Sequence, residues 1–243
     1  MAVVHMILQG KGGVGKSMVA VLLYQALLAL GKKVQGFDTD PVNATLAGFT
    51  DLEVTRLDIM RDDNIDVRMF DTLIENLVNL PEDSHAIIDN GASAFVAFGS
   101  YLRENEVLSL LNEQGHQVYL HTVITGGQAI VDTTQGLKVL ATSFEAVPLI
   151  IWLNPFFGDI LMGGKEFTSF NVYQEHERQI HAIIELPTGN KNTLGRDLEE
   201  LFALRQTFKK VVDGDSHPIA VRSRLKRYMD QVLTAVKVAQ LTA

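Results

Sequence analysis

Eight residues near the start of the chain, Gly10-Lys11-Gly12-Gly13-Val14-Gly15-Lys16-Ser17, constrain its fold more than any other stretch. They satisfy G-x-x-x-x-G-K-[ST], a loop that wraps phosphate groups when it runs from a buried strand into a helix. The flanking residues meet that condition. Ala2 to Leu8 reads as a short apolar strand, and Lys16 to Leu30 as a helix apolar on nearly every face, ended by Gly31. A triphosphate carries several negative charges, which the loop answers with successive backbone N–H groups, the positive helix end and the Lys16 ammonium. Its glycines let the main chain curl close to phosphate. Ser17 offers a hydroxyl to a Mg²⁺ between the last two phosphates, and Gly10 to Met18 form the expected nucleotide contact.

The rest of the chain alternates strands and helices in the order that a mostly parallel sheet flanked by helices requires. Lys33 to Phe37 is a second strand, ending in Asp38-Thr39-Asp40-Pro41-Val42-Asn43. Ligands gather at such strand ends. Two carboxylates one residue apart on extended chain point in different directions, which suits two tasks rather than one chelate; a capping aspartate beside a solvated one is the plainer alternative. Thr55 to Ile59 is a short strand, and Asp66 caps a helix through Asn79. His85-Ala86-Ile87-Ile88-Asp89-Asn90-Gly91 is an apolar strand that delivers a carboxylate, the Walker B pattern. Asp89 then faces a water of the Mg²⁺ shell, and Gly91 offers an N–H to the γ-phosphate.

A helix from Phe95 to Leu111 leads to a strand from Gln117 to Ile124, in which His121 reads as a core histidine. Thr125-Gly126-Gly127-Gln128 opens a helix to Ser143, and the strand Pro148 to Leu153 ends in Asn154. Phe156 to Gly164 is apolar and glycine-containing, with a buried loop favoured over an exposed partner surface. Tyr173 to Gln179 is helical, Ile180 to Leu186 is the last strand, and Pro187-Thr188-Gly189-Asn190 follows it. Arg196 to Val212 reads as one amphipathic helix. Residues 218–240 form another, with Val221, Leu225, Tyr228, Met229, Val232 and Val236 on one stripe.

Length and composition fit one large α/β domain over residues 1–243, and no linker suggests two. No apolar run is long enough to span a membrane, and no basic stretch precedes the first apolar segment, so the expected location is cytoplasmic. The absence of cysteine excludes disulfides, thiolate metal sites and cysteine nucleophiles. Net charge is −8, yet Lys209 to Lys237 holds seven basic residues against Asp213, Asp215 and Asp230. That segment suits DNA, an anionic membrane, an acidic partner, or a solvated outer helix.

The second residue of the loop, Lys11, makes the sequence K-G-G-V-G-K-S, which resembles the deviant Walker A loop of the MinD/ParA family. In that family the early lysine reaches phosphates held by a second subunit, so two protomers sandwich two ATP molecules. The resemblance implies that Lys11 acts in trans beside Lys16, that Asp38 helps hold the Mg²⁺ shell with Ser17 and Asp89, and that Asp40 positions the attacking water. It also implies that Asn43 lies near the γ-phosphate, and that Asn154 and the Pro187 loop flank the adenine. A turn-forming Asn154 before Pro155 competes with that last role. Asp89-Asn90-Gly91 departs from the family's proline-containing D-x-P element while keeping its aspartate. Cysteine-dependent relatives, such as the nitrogenase iron protein and the arsenite and tail-anchored-protein ATPases, are excluded by composition.

A narrower likeness runs through V-H-M-I-L-Q-G-K-G-G-V-G-K-S, D-T-D-P-V-N-A-T, I-I-D-N-G-A-S, L-H-T-V-I-T-G-G-Q and G-R-D-L. Together they resemble plasmid-encoded TraL-type conjugal-transfer and StbB-type plasmid-stability proteins. The resemblance implies a slow ATPase switch that dimerises over Mg-ATP, with plasmid-encoded transfer or stability proteins as partners. DNA contact would be nonspecific or through an adaptor. In MinD a C-terminal amphipathic helix attaches to membrane, but packing on the core or on a partner is the favoured reading here. Two other classes stay open: an ATP-dependent synthetase of the dethiobiotin or cobyrinate type, and a nucleotide-binding adaptor with negligible turnover.

Overall fold

The computed structural model describes residues 1–241. Seven strands form the sheet: β1 (Val3–Ile7), β2 (Lys33–Asp38), β3 (Val54–Arg56), β4 (Ser84–Asp89), β5 (Gln117–Thr125), β6 (Leu149–Asn154) and β7 (Ile180–Glu185), with the central β1, β4, β5 and β6 almost wholly buried. They lie in the order β7-β6-β5-β1-β4-β2-β3. Every neighbouring pair is parallel. Parallel pairing puts the C-terminal ends of β1, β2, β4 and β6 along one edge, so the loop after β1 meets the aspartates that close β2 and β4.

Helices cover both faces. On one side α2 (Phe70–Val78), α3 (Phe95–Glu104), α4 (Val107–Glu113), α5 (Ile130–Ser143) and α6 (Asn171–His176) pack on Val4, Met6, Ile88 and Leu120. On the other, α1 (Lys16–Ala29), α7 (Arg196–Ala203), α8 (Phe208–Asp213) and α9 (Ile219–Val238) pack on Val3, Ile7, Ile87 and Trp152. Helix α9 buries Leu225, Tyr228, Val232 and Val236, each on the order of 1.5–3 kcal/mol of apolar burial. Its apolar stripe is therefore part of the core. Its basic side is partly engaged too: Arg224 grips Asp197 with Nε–Oδ2 at 2.5 Å and Nη2–Oδ1 at 3.1 Å. Among the described residues no helix is long and apolar enough to cross a membrane.

Three sequence expectations change. The helix expected over Phe95–Leu111 breaks into α3 and α4, because Glu106 adopts φ 48° between them. The helix expected over Arg196–Val212 likewise breaks into α7 and α8 around Arg205, at φ 52°. The Phe156–Gly164 stretch is not buried. It leads into a hairpin, Leu161–Met162 against Lys165–Glu166, turned by Gly163 and Gly164 at positive φ, with Phe156, Phe157, Leu161 and Met162 exposed. Ile160 alone of that apolar set packs against the core.

One polar feature crosses the middle of the sheet. Trp152 Nε1 donates to His121 Nδ1 at 2.9 Å, His121 Nε2 lies 3.0 Å from His5 Nδ1, and His5 Nε2 lies 3.0 Å from His85 Nδ1. Indole N–H is only a donor. His121 must therefore accept at Nδ1 and donate from Nε2, and the same tautomer follows for His5 and His85. Burial holds all three rings neutral, depressing His85 to about 4 and His121 to about 3, with His5 well below its ordinary value. The expectation that His121 belongs to the core is met, and its partners explain how.

Candidate nucleotide site at the strand ends

The loop after β1 is built by glycines and held by side chains from elsewhere. Gly13 and Gly15 take φ 74° and 103°, a region that β-carbon-bearing residues rarely enter. Gln9, fully buried, anchors the start of the loop: its amide donates at 3.1 Å to Thr122 Oγ1, Val123 O and Thr133 O, and its Oε1 accepts from Lys11 N at 3.4 Å. Gly136 on α5 leaves room for that amide, since a Cβ there would collide with Gln9 Oε1. Asn154 anchors the other end, donating to Val14 O at 2.9 Å and accepting from Phe156 N at 3.2 Å. In this geometry Asn154 is committed to the loop and to its own turn. Pro187, half-buried after β7, does not line the phosphate cleft.

Lys16 is largely buried and donates to Lys11 O at 3.2 Å. Desolvation lowers its pKa, while Asp89 and Asp40 pull it back up. Lys11 has its Nζ 2.7 Å from Asp132 Oδ2 in the first turn of α5.

The carboxylates divide the work. Asp38 is fully buried and spends both oxygens on backbone: Oδ1 accepts from Asp40 N at 3.0 Å and Oδ2 from Ala47 N at 2.9 Å. It thereby folds the loop that follows β2. Asp40 Oδ1 accepts from Val42 N at 2.8 Å and Asn43 N at 3.1 Å, and its side chain rests on Gly91, where a Cβ would lie 2.8 Å from Asp40 Cγ. Thr39 ties the same loop to β4, bonding Asn90 Oδ1 at 3.0 Å. Asp89 differs from both: its carboxylate is buried and neither oxygen has a hydrogen-bond partner. Burial, then Asp38, push its pKa up to about 7, against smaller lowering by Ser17 and Lys16.

A buried carboxylate with two unpartnered oxygens beside a serine hydroxyl suits a hard cation. Among the described residues no group of three His, Asp or Glu converges to hold a metal unaided. Ser17 and Asp89 therefore fit a Mg²⁺ shared with phosphate oxygens and water, with Asp38 positioned through the backbone behind them.

The cleft over the loop has a volume of about 490 Å³. Gly12, Gly13, Gly15, Lys16, Ser17, Met18, Asp40 and Asn43 line it; Gly10, Lys11, Val14 and Gly91 do not, Gly10 and Lys11 being exposed and Val14 and Gly91 buried. Val42, Thr45, Ala92, Ser93 and Arg205 also line it and were not anticipated. Arg205 comes from more than a hundred and fifty residues away, and no local motif marks it. A larger groove, about 720 Å³, lies between β7 and α9; its charged lining residues are Glu185 and Asp230, the wrong sign for phosphate.

The sequence profile of the CobQ/CobB/MinD/ParA nucleotide binding domain (CbiA) matches residues 5–239. "Protein TraL" of Escherichia coli is 44% identical over 238 residues, covering 98% of each chain. Among solved structures, the MinC:MinD cell division protein complex of Aquifex aeolicus aligns with a TM-score of 0.55 at 17% identity, covering 93% of this chain and 95% of that one. The septum site-determining protein MinD of Pyrococcus horikoshii, complexed with Mg-ADP, aligns at 0.50 and 18%, covering 100% and 99%. At those identities the structural likeness speaks for the fold.

Proposed function

The chain belongs to the CobQ/CobB/MinD/ParA family of nucleotide binding domains, and from that premise we propose that it is an ATP-driven switch that dimerises over Mg-ATP and hydrolyses it slowly. The observation that carries the reading is the buried, unpartnered Asp89 carboxylate at the strand end beside Ser17 and Lys16. The loop N–H groups and Lys16 bind the phosphates. Mg²⁺, when bound, neutralises charge on the last two of them. Asp40, with Oδ1 held by two backbone N–H groups, orients the attacking water from its other oxygen. Water oxygen then bonds to the γ-phosphorus as the β–γ bridging bond breaks, and the proton leaves with phosphate.

Lys11 leaves Asp132 to reach a partner protomer's phosphates, which makes dimerisation dependent on ATP. The motif resemblance to TraL-type conjugal-transfer proteins, together with the 44% identity to two proteins named TraL, supports a task in plasmid transfer, with plasmid-encoded proteins as partners. Light scattering without nucleotide, with Mg-ADP and with Mg-ATP tests this. A dimer that forms only with ATP and disappears in Lys11→Ala is expected; an unchanging mass in all three states overturns the switch.

A further inference from the structure

Arg205 stands where a helix ordinarily ends in glycine. Helix α7 closes with Arg205 N bonded to Phe202 O at 3.2 Å and Gln206 N to Leu201 O at 3.0 Å, the paired bonds of a Schellman motif. The residue between them must be left-handed, and Arg205 takes φ 52°. A side chain with a β-carbon costs about 1 kcal/mol there relative to glycine.

Arg205 lines the nucleotide cleft together with Lys16, Ser17 and Asp40. It lies against Gly48, where a Cβ would come within 2.6 Å of Nη1 and 3.0 Å of Cζ. Nη1 donates to the Thr45 carbonyl, and this is the only hydrogen bond the side chain makes among the described residues. No carboxylate pairs with it there. A guanidinium has five N–H donors in a planar fork shaped for phosphate oxygens. One is used on the loop after β2, and the others make no hydrogen bond among the described residues.

We propose that Arg205 is a phosphate ligand supplied from the α7–α8 turn of the same protomer, and that it fastens the 40–50 loop over bound nucleotide. Holding the Thr45 carbonyl and a phosphate at once, it links nucleotide occupancy to the position of Asp40 and Asn43. The α7–α9 layer thus senses the nucleotide through one side chain. This rests on the nucleotide-binding reading above, which supplies the ligand.

Three variants test it, using fluorescent ATP and ADP analogues and the full-length chain. Arg205→Gly relieves the left-handed backbone, so the nucleotide-free protein should melt within a few degrees of wild type. Its affinity for the ATP analogue should fall about tenfold or more, and the salt dependence of binding should become shallower. Gly48→Ala pushes the guanidinium from its seat and should weaken binding in the wild-type background, but not further in Arg205→Gly. Arg205→Lys keeps the charge and should recover part of the affinity. Limited proteolysis adds an independent readout: nucleotide should protect residues 40–50 in wild type and not in Arg205→Gly. Arg205→Gly binding within twofold of wild type, with unchanged salt dependence and retained protection, would overturn the assignment and leave Arg205 a loop strut. Wild type failing to bind either analogue would sink the nucleotide reading itself.

Discussion

Strand β4 begins at one polar cluster and ends at another, and the two are built differently. His85, near its start, closes the chain Trp152–His121–His5–His85, in which each link is a hydrogen bond of 2.9–3.0 Å. Asp89, at its end, is as buried as those rings and leaves both oxygens unpartnered. A satisfied buried network holds a fold together; an unsatisfied one costs stability and marks where something else binds. The contrast separates structure from function within six residues of sequence.

Removing the central ring should have the largest effect. His5→Ala strands the His121 donor and the His85 acceptor and opens a cavity, and should destabilise the protein by about 3–5 kcal/mol in urea unfolding. Asp89→Asn should do the reverse. Folding raises this carboxyl from 3.8 to about 7, so its contribution favours the folded state at low pH and is lost as pH rises through that window. At pH 8 the amide should stabilise the nucleotide-free protein by on the order of 2–4 kcal/mol, while removing the dependence of nucleotide affinity on Mg²⁺. A variant that both loses stability and keeps its Mg²⁺ dependence would break the comparison.

Acid should sharpen it. The three histidines have folded pKa values depressed below 6.5, so their contribution is whole above 6.5 and is lost as pH falls toward the folded values near 4 and 3. Each proton taken up on unfolding adds about 1.4 kcal/mol per pH unit to the slope. Around pH 5 to 6 Asp89 opposes this by one proton. Stability measured across that range should therefore fall more steeply in Asp89→Asn than in wild type, and less steeply in a variant lacking one ring. The smallest effect belongs to the Lys11–Asp132 pair, half-exposed on both sides. Asp132→Asn should change stability by less than about 0.5 kcal/mol, and should favour the ATP-dependent dimer by freeing Lys11.

Much of the site was readable because its signals are local. The loop, the strands feeding it, and Asp38, Asp40 and Asp89 each carry a short motif in a periodic setting, and all stand at one edge of the sheet. What escaped reading depends on distant contacts. Two helices break at Glu106 and Arg205, left-handed residues without the glycine or proline that would announce them. Arg205 enters the cleft only because α7 lies beside the loop after β2. The histidine chain is invisible until strand order is known, since each strand contributes one ring. The exposure of Phe156 and Phe157 is likewise unannounced by their own hydrophobicity.

The fit of Gln9 against Gly136 joins the phosphate loop to the interior of a helix. Glycine inside a helix is disfavoured by about 1 kcal/mol relative to alanine, so that position carries a cost incurred on behalf of a loop more than a hundred residues upstream. The two sites should therefore vary together: a related chain with alanine at 136 needs a shorter residue at 9, and a search for relatives can use the pair as a two-letter signature. Placing alanine at 136 alone would loosen the loop from behind without altering any residue that lines the cleft.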